Sequence, residues 1–412
     1  MSTLNTAYAA CNTGHSRIRL LATHIVGVLS VGLLLLASTA QALSQTIELS
    51  DSCPPSFILR ENNQCRLRHR YQLYDSLQNS GLGGLKSALP AHRDGFSPQQ
   101  IDLSRLLFFD PILSADHSLS CATCHNPARG FSDGIGRGVG IDGQRQKRSA
   151  PSLWNSTFLT RFNWDGRADS YEQQIAGPLF SLTEMGNSPA AMLAAIKRVP
   201  TYQRLFKQAF IDSMPSINID HVVLALSAFQ SSLISLNSRY DQYVHGYHKA
   251  LNDREIAGLN VFRSFVARCT QCHTPPLFTN QQIAVIGTPE PAYLLRDIGA
   301  QATFQSATLR GGFRVQTLRN IATTAPYMHS GRFTTLRQAT EFYTLGRGHA
   351  APTNEKLLLH WHISEPNLND NELDLLVEFM NTLTDQSLAP KTPKHLPSGL
   401  PMKHVENSHE PI

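Results

Sequence analysis

Two pentapeptides constrain this chain more than anything else in it: Cys121-Ala122-Thr123-Cys124-His125 and Cys269-Thr270-Gln271-Cys272-His273. Both read C-x-x-C-H, the pattern of covalent c-type haem attachment. Two thiols three positions apart can each add to a vinyl group of one porphyrin. The histidine that follows reaches the iron as proximal axial ligand. A thioredoxin-like redox pair or half of a zinc site would account for C-x-x-C alone. Neither needs the trailing histidine, still less two of them. The chain is therefore expected to carry two covalent c-type haems, attached through Cys121, Cys124, Cys269 and Cys272, with His125 and His273 on the irons. A third is excluded, because no other cysteine sits in such a motif.

Residues 1–42 read as an export signal. Arg17 and Arg19 form a basic flank, Leu20 to Ala37 is almost wholly apolar, and Ala40-Gln41-Ala42 offers a small-x-small cleavage site. The apolar run is also long enough for an uncleaved anchor, but His24 interrupts it and the Ala-x-Ala site follows directly. Cleavage after Ala42 and a periplasmic location are expected, with membrane contact only through that segment if it is kept. Export suits haem attachment of this kind, which happens outside the cytoplasm in bacteria. Cys11 would leave with the signal. Cys53 and Cys65 remain, and an oxidising compartment makes a disulfide between them the default. With 36 basic and 31 acidic residues the formal charge is only +5, which gives no ground for nucleic-acid binding.

Beyond the signal the sequence repeats one plan. An N-terminal extension (43–95) precedes two halves, 96–245 and 246–388, each built as opening helix, haem motif, irregular loop and closing helix. Ser97-Pro98 supplies an N-cap and a proline at the first helical position, ahead of Ile101, Leu106 and Leu107. Asn252 with Glu255 reads as a capping box, and Ile256, Leu259, Phe262 and Val266 mark one helical face. The closing helices show Val222, Leu226, Phe229, Leu233 and Leu236 in the first half. In the second, after Asn369-Asp370-Asn371-Glu372, they show Leu373, Leu376, Val377, Met380 and Leu383. The predicted fold is mostly α: two cytochrome c-like domains in tandem, each holding one covalent haem, with long loops for which the porphyrin supplies the apolar core. The proline- and charge-rich segment 389–412 is expected to be disordered, with His395, His404 and His409 solvated.

A further set of ordered matches, over residues 97 to 385, resembles the bacterial dihaem cytochrome c peroxidases and their relative MauG. They are Leu107-Phe108-Phe109-Asp110, Ala128 to Gly134, Ala150 to Asn155, Phe162-Asn163-Trp164-Asp165-Gly166-Arg167, Thr317 to Asn320 and Ala325 to Gly331. The resemblance implies that His125 carries the peroxide-binding haem. It implies that Trp164, which alone would pass for a core aromatic, lies between the haems as a relay. Gln174 and Glu184 match the polar pair over the open face of the first haem. Glu184, otherwise readable as a solvated loop acid, could there move the peroxide proton between the two oxygens.

Two positions divide the family. The gated peroxidases carry a distal histidine in the loop after the first motif; from Asn126 to Ser149 this chain has none. The first iron is therefore expected to be open without prior reduction. The sixth ligand of the second haem falls fourteen residues after the histidine of Tyr-Met-His-x-Gly, which here is Tyr343. Tyrosine, as in MauG, favours ferric iron where methionine would favour ferrous; Met328, His349 and Met380 are the fallback ligands. Two other positions depart from the family. Ala267 stands where MauG has a surface tryptophan before the second motif, so that exit for oxidising equivalents is missing. Calcium, which the family holds between domains, would be taken by the carbonyls of Thr324 and Pro326 and by Ser149 in place of an asparagine. The expected function is a periplasmic dihaem peroxidase. It would reduce hydrogen peroxide with electrons from a small cytochrome c or cupredoxin, or from a protein partner that it oxidises. A non-catalytic dihaem electron carrier is the alternative, and a redox sensor would need a signalling partner that the sequence does not show.

Overall fold

The computed structural model describes residues 47–71, 89–211, 216–344, 355–385 and 387–402. The export segment with Cys11, the fallback ligand His349, and His404 and His409 lie outside the described residues. The first long helix begins where a capping box dictates. The Ser97 hydroxyl accepts from the Gln100 N–H, the Gln100 side chain accepts from the Ser97 N–H, and Pro98 takes the first helical position. This helix, Pro98–Phe109, packs against Ile219–Ser231. The contact is close enough for the buried Ser104 hydroxyl to accept from the Phe229 N–H. In the second half Asp253–Phe262, boxed by Asn252 and Glu255, packs against Asp370–Asn381, boxed by Asn369 and Glu372. Here the approach is closer. A Cβ on Gly258 would stand 2.0 Å from the Leu375 carbonyl oxygen, so only glycine lets the helices meet. Opening helix on closing helix is thus the frame of both halves.

Three elements depart from their expected limits. The helix Asp253–Phe262 ends before Val266, which is 55% exposed rather than on a buried face. The chain then turns through Arg268, at φ +56°, to enter the second motif. Leu233 and Leu236 are buried as expected but lie beyond the helix end at Ser231. There the Ser232 hydroxyl bonds back to the Phe229 carbonyl, a local bond that competes with helical continuation. Third, the segment from Ala389 is not disordered over its described part, 389–402. Leu396 packs among Phe108, Phe109, Phe131 and Trp154. The Ser398 hydroxyl and N–H both donate to the carboxylate of buried Asp110, and Arg105 donates to the Lys391 carbonyl. Composition pointed to disorder, but one leucine and one capped carboxylate tie the strap down. His395 is exposed.

The N-terminal extension forms a short antiparallel hairpin, Phe57–Leu59 with Cys65–Leu67, closed by a Cys53–Cys65 disulfide. Its apolar side chains join Ile101, Phe158, Leu236 and Leu277 in one core. A second two-stranded antiparallel sheet pairs Ile283–Val285 with Gly312–Arg314. The described residues from Glu48 onward form one compact unit.

The irregular loops also repeat. Phe162 bridges Ala168, and Tyr327 bridges Phe333; each loop has positive φ at the next residue (Asn163, Met328) and at a glycine (Gly166, Gly331). Upstream, Ser152 and Thr317 each hold the N–H two residues on, at Trp154 and Arg319, and Asn155 and Asn320 follow in left-handed conformation. Trp164 and His329 therefore occupy equivalent places in the two halves.

Candidate functional site

Each haem motif is a single helical turn, Cys121–Cys124 or Cys269–Cys272, that puts both thiols on one side and ends at the histidine. The chain then doubles back. Asn126 bridges Ser132, and the His125 Nδ1–H donates to the Phe131 carbonyl at 2.9 Å. His273 Nδ1–H makes the same bond to the Phe278 carbonyl at 3.1 Å. With Nδ1 committed as donor, Nε2 of each ring is left as the ligating nitrogen. Burial lowers both imidazole pKa values, which keeps the rings neutral and able to bind a metal. The two sites are built alike to this point.

They differ on their polar sides. Around the first motif stand two acids. Glu184, half-buried at the end of the turn that follows Tyr171–Phe180, lies close enough to Cys124 to affect its thiol, and burial raises its own pKa. Its loop is fixed by the Ile141 N–H donating to the Glu184 carbonyl and by Met185 N–H to Pro178. Asp133 is 4% exposed, and burial pushes its carboxyl up to about 6. Its Oδ1 accepts from the Ile135 N–H, while Oδ2 has no hydrogen-bond partner. Gln174 is half-buried on the helix Tyr171–Phe180, one turn before Pro178.

The second motif opens into a cavity of about 250 Å³. Cys269, Cys272 and His273 line it together with Tyr343, and so do Met328 and Met380. Phe262, Leu318, Leu336, Leu368 and Leu376 make its walls apolar. Burial raises the Tyr343 phenol's pKa, and the Cys272 and Cys269 thiols add to the rise, so the phenol and both attachment sulfurs share one small space. The donor set fits a covalent haem: two thiols, a proximal imidazole, an oxygen ligand and apolar walls for the ring. One wall residue fits a carboxylate of that haem. Arg314 is buried with only neutral described partners, the Asn163 carbonyl and the Gln316 side chain, and burial lowers its pKa to about 10. A buried cation needs an anion, and a haem propionate is one. Sequence reading missed Arg314 and His362, which also lines the cavity. A basic residue two positions before Gln316, and a lone His-Trp-His run, carry no motif by which to find them.

Trp164 stands at the edge of the same cavity. Its indole N–H donates to the Ser149 carbonyl at 2.9 Å, and its ring meets Phe313 and His329 edge-on at 6.4 and 6.3 Å. His329 is itself fixed: it stacks on Phe313 and its Nε2 meets Glu290 at 2.7 Å. Arg148 holds Asp165, the neighbour of Trp164, and Asp297. The Ser149 N–H donates to the His329 carbonyl and its hydroxyl to the Met328 carbonyl. That hydroxyl is thus engaged within the chain. No group of three or more His, Cys, Asp or Glu able to hold a metal occurs among the described residues. No described helix is long and apolar enough to cross a membrane.

Comparison with known proteins finds relatives in one family. A family model described as di-haem cytochrome c peroxidase matches residues 98–249. A methylamine utilization protein MauG of Methylorubrum extorquens is 34% identical over 303 residues, covering 72% of this chain and 82% of that protein. A cytochrome c551 peroxidase of Nitrosomonas europaea is 31% identical over 308 residues, covering 74% and 84%. Among solved structures, a MauG-like protein associated with microbial copper homeostasis superposes with a TM-score of 0.66 at 30% identity, covering 72% of this chain and 92% of that one. The diheme peroxidase BthA of Burkholderia thailandensis gives 0.60 at 27% identity, covering 76% and 92%.

Proposed function

The chain belongs to the di-haem cytochrome c peroxidase family, and from that premise we propose that it reduces hydrogen peroxide at a haem carried by His125. His273 and Tyr343 would hold a second haem, through which electrons would come from a small periplasmic redox protein, a cytochrome c or a cupredoxin, or from a protein that the enzyme oxidises. The observation that carries the reading is the cavity in which Tyr343 faces His273 and both attachment cysteines.

The haems supply the peroxide-binding iron and the one-electron storage; the chain supplies the rest. Glu184, its pKa raised by burial, takes the proton from the inner peroxide oxygen and returns it to the outer one, which then leaves as water. Gln174 donates a hydrogen bond to hold the peroxide. The segment from Asn126 to Ser149 contains no histidine, so it would offer no imidazole to close the first iron, and prior reduction would not be needed to open it. Tyr343 would supply an anionic oxygen to the second iron and favour its ferric state. Trp164 would bridge the two sites, and Arg314 would neutralise a haem propionate. Residues 1–42 act as the export signal. The repeated frame supports two tandem domains, one per haem, packed together as one unit. Calcium would bind through the carbonyls of Thr324 and Pro326, with Ser149 joining once its hydroxyl leaves the Met328 carbonyl.

The test is the EPR spectrum of the fully oxidised holoprotein before and after stoichiometric peroxide. One high-spin and one low-spin ferric signal, both lost without prior reduction, is the expected result. Two low-spin signals indifferent to peroxide would make the protein an electron carrier. Tyr343→Met is expected to raise the potential of the second haem, read by redox titration; an unchanged potential would remove Tyr343 from the iron.

A further inference from the structure

The chain has three tryptophans, and they differ sharply in exposure. Trp154 is buried, Trp164 half-buried, and Trp361 69% exposed. An indole that far out of the core gains nothing from burial, yet Trp361 is not an isolated side chain. Its ring meets that of His362 with centroids 3.5 Å apart and planes at 77°, and the His362 side chain lines the cavity that holds Cys269, Cys272, His273 and Tyr343. The His362 Nδ1 is buried with no hydrogen-bond partner. The segment is pinned rather than loose. The His360 N–H donates to the Val285 carbonyl at 2.8 Å, the Ile363 N–H to the His360 carbonyl at 2.9 Å, and the His362 N–H to His360 Nδ1. Solvent, indole, imidazole and haem cavity therefore follow one another in direct contact.

The rim beside it has the character of a transient docking surface. Phe265 and Val266 are exposed, and the Arg268 guanidinium lies 4.5 Å from the Phe265 ring centroid. Arg268 lines the same cavity as His362. Exposed aromatic and apolar groups with an arginine are the side chains that interfaces favour.

We propose that Trp361 is the surface residue through which single electrons pass from a one-electron redox protein to the second haem, with His362 as its contact to the cavity. The proposal rests on the peroxidase reading above. Hydrogen peroxide takes two protons and two electrons to become two waters. Twice per peroxide, Trp361 loses one electron toward the cavity and its indole regains one from the reduced donor, which is oxidised. The indole N–H proton is released to water and recovered on re-reduction. An indole is among the most readily oxidised side chains, and this one alone of the three tryptophans is open to a partner.

The test uses the holoprotein with peroxide and the nitrone spin trap DMPO, no donor present, followed by mass mapping of the peptides. A DMPO adduct at Trp361 is expected, with its loss in Trp361→Phe and its weakening in His362→Leu, which leaves the indole but removes its contact. Trp361→Phe is also expected to slow oxidation of reduced cytochrome c. Peroxide consumed with adducts only at other residues, or with cytochrome c oxidised as fast by Trp361→Phe, overturns the inference and leaves the peroxidase reading standing. Peroxide not consumed at all overturns both.

Discussion

Asp133 shows how much one residue can carry in such a site. Its carboxyl is buried beside the first haem motif, with one oxygen unpartnered, and burial lifts its pKa from 3.8 to about 6. Between those values the folded protein binds a proton that the unfolded chain has released, so stability falls as pH rises through the window. The loss is about 3 kcal/mol and is complete above the folded value. Asp133→Asn, which keeps the neutral form at every pH, should flatten urea-unfolding stability between about pH 4 and pH 7; a slope equal to wild type would relieve Asp133 of that role. Nothing in the sequence announced this. The proposed ligands His125 and His273 could be read from the sequence because attachment chemistry fixes their spacing to the cysteines. Glu184 and Tyr343 became legible only through resemblance to a family. Asp133, Arg314 and His362 owe their character to burial by segments distant in sequence, and burial of a polar side chain leaves no pattern in its neighbours.

At the scale of elements the frame was readable and its edges were not. Three capping boxes fixed helix starts at Pro98, Asp253 and Asp370, because a start is decided by four adjacent residues. The helix end at Phe262 is set instead by tertiary fit, and the one at Ser231 by a local hydroxyl bond. Gly258 belongs to that fit. Gly258→Ala gains about 1 kcal/mol of helix propensity but drives a Cβ into the Leu375 carbonyl. Overpacking of this kind costs about 1–3 kcal/mol, and it displaces the helix that carries Leu376 and Met380 on the cavity wall. A lowered Tm with an altered second-haem absorption spectrum is expected; a shift in neither would show that the helices slide apart freely. The strap at 389–402 makes the opposite case, an element that composition hid. Leu396→Ala should cost about 2–5 kcal/mol in thermal unfolding. A cost under about 0.5 kcal/mol, as at a typical surface site, would mean that the strap is not bound in solution.

The whole molecule is best understood as one plan used twice and then made unequal. The frame of opening and closing helices, the histidine Nδ1 bond to a carbonyl five or six residues on, and the looped turn after each left-handed asparagine occur in both halves. The inequality falls on the residues that meet between them. One loop presents Trp164 and the other His329, edge-on at 6.3 Å, with His329 immobilised by Phe313 and Glu290. Under the proposed function, the indole at that meeting point would give electrons an aromatic bridge between the two sites. Trp164→Phe keeps an aromatic ring but removes the indole and its bond to the Ser149 carbonyl. Both haems should still attach, because neither motif touches that bond. In the oxidised variant, one equivalent of peroxide should abolish the high-spin signal while the low-spin signal persists, where wild type loses both. Loss of both signals at the wild-type rate would mean that oxidising equivalents cross between the halves by another path, and that the unequal loop serves packing alone.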